Sequence, residues 1–121
     1  MDIHDLLPLC REFSTRPDIA ILAHGRTAVN KCGSTARKFQ EFLEMHGIRN
    51  HCILSVYGYK IPTPDTSAYP IDYDWNRFGH TVVIVDDWWV DWTARQMDAD
   101  KPFPFIGDAR TEIKNWKATG L

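Results

Sequence analysis

Cys32, His80 and Asp91 supply a thiol, an imidazole and a carboxylate at positions that suit nucleophilic chemistry. A cysteine attacks as its thiolate. The free N–H groups and partial positive charge at a helix N-terminus lower a thiol's pKa. Of the three cysteines, at 10, 32 and 52, Cys32 alone stands at the start of a predicted helix. The same N–H groups suit the oxyanion that forms on an attacked carbonyl. Gly33 next to it puts no side chain in a substrate's way.

His80 and Asp91 flank the dipeptide Asp86-Asp87, which separates two runs of strand-forming residues. If those aspartates form a two-residue turn, His80 opposes Thr93 and Val82 opposes Asp91. Asp91 then shares a face with His80 as its diagonal neighbour, about 7–8 Å away at the backbone and within side-chain reach. A four-residue loop keeps that parity, whereas a three-residue loop sends Asp91 to the other face. A carboxylate so placed holds one imidazole nitrogen and leaves the other to serve the thiol. Asp86 and Asp87 themselves read as turn residues.

Positioning these groups requires a helix and a sheet. The predicted nucleophile helix spans 31–46, with Asn30 as N-cap and Gly47 just past its end. Its core stripe is Cys32, Ala36, Phe39 and Leu43, widened by Phe42 and Met45. A strand is expected over 51–59, and the hairpin strands over 79–85 and 88–93. The hairpin face bearing His80 also carries Val82, Ile84 and Trp89, which makes it the expected seat of the helix. Ahead of these, 2–13 reads as a short helix interrupted by Pro8, and 19–23 as an extended run. Residues 60–78 form a long loop with Tyr69, Tyr73 and Trp75. Pro102 and Pro104 mark an irregular segment, and 108–121 suits helix or strand equally.

The 121 residues fit one domain spanning 1–121, with 44% hydrophobic residues to build its core. A net charge of −2 gives no basic footprint, so nucleic acid is not an expected partner. No apolar run is long enough for a membrane span, and the N-terminus lacks the basic start of a secretory signal. Three widely spaced cysteines do not form a disulfide framework, and the expected compartment is the cytoplasm. His46, His51 and Cys52 offer neither a CxxC nor an HxxxH pair, so no metal site is read there. Cys10 and Cys52 are expected to be core residues.

The string NKCGSTARKFQEFLEMHGI resembles the nucleophile helix of papain-like and transglutaminase-like cysteine enzymes. GHTVVIVDDWWVDWTARQ resembles their histidine strand, turn and aspartate strand, in the manner of transglutaminase-like proteins and arylamine N-acetyltransferases. KPFPFI is similar to segments that follow that strand, so the resemblance covers 30–106. It implies an α+β fold in which an antiparallel sheet of about four strands packs on the nucleophile helix. It also implies a cofactor-free amide hydrolase, a peptidase or glutamine deamidase, acting on a protein or peptide through an acyl-enzyme. An acyltransferase on the same triad, or a binding module gripping a partner with the 60–78 loop, are the alternatives. The chain departs from the papain pattern in lacking the oxyanion glutamine ahead of the cysteine. Arg26 stands near that spacing, and Ala36 falls in the region where papain-type enzymes carry a tryptophan. His24 or Asn30 then becomes the candidate second donor, and Gly33, Trp75 and Trp89 the candidate substrate contacts.

Overall fold

The computed structural model describes residues 1–63 and 68–120. Its first helix, α1 (Ile3–Ser14), starts at Asp2, whose carboxylate accepts the His4 N–H at 3.0 Å. Leu6, Cys10 and Phe13 form its buried stripe, and the helix continues through Pro8. The expected extended run at 19–23 is instead helical: α2 (Pro17–Ala20) runs into a 3₁₀ turn, Ile21–Ala23. Ile19 and Leu22 are the buried pair there, a spacing of three that one helix face satisfies and one strand face does not. A single turn, α3 (Gly25–Ala28), follows.

The helix that begins at Cys32 is α4 (Cys32–Met45). Asn30 is not its N-cap. Asn30 takes a left-handed φ of 63°, a conformation asparagine tolerates, and turns the chain so that Lys31 occupies the cap position without any side-chain bond. The first N–H groups of α4 are thus left uncapped by a side chain. Ala36, Phe39, Phe42 and Leu43 are buried, but Met45 is 77% exposed and does not widen the apolar face. At the far end Gly47 takes φ 76° and the Ile48 N–H returns to the Leu43 carbonyl at 2.9 Å.

Among the described residues the sheet has five strands rather than about four, all neighbours antiparallel, in the order β4-β3-β2-β1-β5. They are β1 (His51–Tyr59), β2 (Gly79–Val85), β3 (Trp88–Asp91), β4 (Phe105–Asp108) and β5 (Trp116–Thr119). The segment following Pro104 is therefore an edge strand, and 108–121 resolves into a short helix, α5 (Ala109–Glu112), a 3₁₀ turn and the opposite edge. Asp86 and Asp87 form the β2–β3 turn, with Val85 paired to Trp88 and Val83 to Val90.

Both sheet faces are covered. Val83, Val85, Val90 and Trp92 pack with Phe39, Phe42 and Leu43 of α4 and with Phe13 of α1. The expected docking face is therefore the wrong one: Val82, Ile84 and Trp89 lie in a second cluster with Val56, Tyr59, Trp75, Phe78, Met97 and Trp116. Each face of β2 presents aliphatic side chains, so alternation pairs the residues correctly without saying which side the helix takes. The aromatics of the 60–78 segment also pack inward, where Trp75 sits against Tyr69, Tyr73 and Phe78 at centroid distances of 5.0–5.3 Å. Residues 64–67 of that segment lie outside the described residues. No described helix is long and apolar enough to cross a membrane.

Candidate active site

β3 is expected to reach Thr93 but stops at Asp91, for a local reason. The Asp91 carboxylate accepts the Thr93 N–H at 3.0 Å, a side-chain turn that draws the backbone out of the ladder. Its second oxygen, Oδ2, lies 2.7 Å from His80 Nε2, and both residues are 2% exposed. His80 stacks on Trp116, with ring centroids 5.4 Å apart and planes 7° from parallel, and on Phe78 at 5.7 Å. Burial opposes the charged imidazole, but the Asp91 charge and hydrogen bond, followed by contact with Cys32, raise its pKa to about 9.

The departure of β3 also makes room for the thiol. In a two-residue hairpin the closing pair exchanges both hydrogen bonds, so Val85, Val83 and Thr81 turn their backbone groups toward the β3 side. With β3 ended at Asp91, the Thr81 N–H has no strand to meet, and the head of α4 fills the gap. Burial pushes the Cys32 thiol up. Hydrogen bonding and charge from His80, then the Thr81 backbone and hydroxyl, outweigh that and hold it below the ordinary thiol value. Cys10, by contrast, is pushed up to about 12 by burial alone. Cys52 is not a core residue: its side chain is exposed on β1, because Ile53 and Cys52 precede the covered part of that strand.

His80 thus links Asp91, which holds Nε2 at 2.7 Å, to Cys32, whose hydrogen bonding and charge raise the imidazole's pKa, while Nδ1 lies 3.3 Å from the Gln96 amide nitrogen. Such a bridge supports a thiolate–imidazolium pair oriented by a carboxylate. Gly33 is in the first turn of α4, where the nearest atom to an added Cβ is Arg37 Nη2 at 4.0 Å, so the approach to the thiol is open on that side. Asn30 is exposed and left-handed, two residues before the helix. Trp75 and Trp89 are 8% and 2% exposed and belong to the second core cluster, beneath the His80 face rather than lining an open surface. His24 and Arg26 line a cavity of about 210 Å³ with Ala68 and Arg95. His46 pairs with Glu12 and His51 with Glu44, at 2.8 and 2.9 Å, and no metal-binding cluster is present among the described residues.

Sequence reading missed three contributors. Thr81 is a β-branched strand residue whose role depends on where β3 ends. Trp116 is far away in the chain and reaches His80 only because β5 closes the sheet beside β1. Gln96 is 2% exposed with its amide nitrogen 3.3 Å from His80 Nδ1, and its one signal was the polar run DWTARQ directly after the aspartate strand. Compared with known proteins, the chain matches no family model, no curated protein and no solved structure.

Proposed function

We propose that this chain is a cysteine-dependent amide hydrolase of the papain-like or transglutaminase-like type, acting on a protein or peptide. The observation that carries the reading is His80 held on Nε2 by Asp91 at 2.7 Å, with the imidazole and Cys32 shifting one another, the thiol down and the imidazole up. Cys32 passes its proton to His80 Nδ1, and the thiolate attacks the amide carbon. Uncapped N–H groups at the head of α4 receive the oxyanion. His80 gives its proton to the departing amine, and a water activated by the same imidazole hydrolyses the thioester. Asp91 keeps the imidazole oriented throughout.

The test is release of ammonia or new peptide termini from protein substrates supplied without an added amine. Wild type should show it and Cys32→Ala should not. Turnover that requires an amine or an acyl-coenzyme A would move the assignment to an acyltransferase. Absence of both turnover and any acyl adduct on Cys32 would overturn the proposal.

A further inference from the structure

We infer that Gln96 is a catalytic residue, its side-chain amide being the second hydrogen-bond donor to the oxyanion formed when Cys32 attacks a carbonyl. This rests on the acyl-transfer reading above.

The amide's orientation follows from its neighbours. Asp91 Oδ1, a carboxylate oxygen, can only accept, so the Thr93 hydroxyl 3.4 Å away donates to it. Thr93 Oγ1 is then the acceptor for Gln96 Nε2 at 3.2 Å, and Gln96 Oε1 accepts from the Tyr69 hydroxyl at 3.2 Å. One amide hydrogen is committed to Thr93. The other is available to His80 Nδ1, 3.3 Å from the same nitrogen. Nδ1 is also the atom that Cys32 must reach, because Nε2 is held by Asp91.

The two protonation states of the site treat that second hydrogen differently. While His80 is neutral with its proton on Nε2, Nδ1 presents a lone pair and the Gln96 hydrogen has an acceptor. Once Nδ1 takes the Cys32 proton it becomes a donor, and the Gln96 hydrogen loses its partner in a site too buried for ready hydration. A buried donor left unpaired is destabilising. His80 and Thr81 already stabilise the thiolate, as the lowered thiol pKa shows. Among the described residues of this cluster no other acceptor is offered to that hydrogen, and the carbonyl oxygen of a substrate bonded to sulfur supplies one.

The chemistry balances. The sulfur–carbon bond forms, the carbonyl π pair moves onto oxygen, and Gln96 and the head of α4 hold that charge. When the pair returns, the carbon–nitrogen bond breaks and the amine leaves with the His80 proton. Thr93, which accepts from the Gln96 amide, lines the same small cavity as Cys32, so the relay reaches the thiol's surroundings.

The test separates attack that builds an oxyanion from attack that does not. In a Cys52→Ser background, Cys32 acylation by p-nitrophenyl acetate is compared with Cys32 alkylation by iodoacetamide, the modified residue being identified by peptide mapping. Gln96→Ala and the similarly long, donor-free Gln96→Met should slow acylation about 10²–10³-fold. Alkylation, which forms no oxyanion, should stay within about threefold of wild type because the thiolate is intact. If both reactions slow together, Gln96 only positions His80, and the inference is overturned. If acylation is unchanged, it is likewise overturned while the hydrolase reading stands. Failure of wild-type Cys32 to be acylated at all would sink the hydrolase reading and this inference with it.

Discussion

His80 Nε2 and Asp91 Oδ2 meet at 2.7 Å although the two residues are not opposite one another in the hairpin. The register that pairs Val83 with Val90 puts Asp91 across from Val82, so His80 reaches it along the diagonal. That diagonal leaves the other carboxylate oxygen to Thr93, whose turn ends β3 and opens the space Cys32 occupies. One side chain thus orients the imidazole and shapes the gap for the thiol.

Removal of this carboxylate should be costly for acyl transfer. Asp91→Ala is expected to lower Cys32 acylation by about 10²–10⁴-fold, as in triads that lose the orienting acid. Asp87→Ala, at the exposed turn position, should leave the rate near wild type. Rates of p-nitrophenolate release check both, and activity that survives Asp91→Ala but not Asp87→Ala would mean the wrong acid had been assigned.

Reactivity should follow the thiolate–imidazolium pair with pH. The Cys32 thiol is lowered and His80 is raised to about 9, so the pair exists from the lowered thiol value up to about 9. Alkylation of Cys32 should therefore persist through neutral pH and fade only when acid protonates the thiolate. Cys10, pushed up to about 12, should remain unmodified over the same range in the folded protein. Peptide mapping after iodoacetamide treatment from pH 5 upward measures this, and equal labelling of Cys10 and Cys32 would contradict it.

Asp86 has a structural duty beyond filling a turn. It takes a left-handed φ of 52°, and its carboxylate bonds the N-terminal amine and the Asn50 amide. Asp86→Ala should cost about 1–2 kcal/mol from the backbone conformation, with Asp86→Gly recovering that part. Chemical denaturation measures the difference, while Cys32 acylation should be unchanged in both variants.

Trp116 holds the imidazole plane. It is 5% exposed and stacked on His80, so Trp116→Ala should destabilise the protein by about 3–5 kcal/mol. Trp116→Phe keeps a ring under the imidazole and should acylate within about tenfold of wild type. Denaturation midpoints and acylation rates together decide it. A Trp116→Phe variant as inactive as Cys32→Ala would show that the indole does more than stack.

Much of this site is local, and locality made it legible. The two-residue turn and the strict period of two along a strand determine that His80 and Asp91 share a face, without reference to any other part of the chain. The period of 3.6 likewise identifies α4 and puts Cys32 at the head of its stripe. Tertiary structure decided what these periods leave open. Both faces of β2 are apolar, so packing chose Val83, Val85 and Val90 for α4 and left the His80 face to Trp89 and Trp116. Asn30 has the chemistry of an N-cap but also tolerates a left-handed backbone, and the route from α3 into α4 selected the second. Trp116 and Gln96 join His80 because β5 closes one sheet edge and the Asp91–Thr93 turn folds 94–96 back under the ring. Contacts between residues brought together by closure carry no periodic signature, since no repeating backbone geometry links their positions.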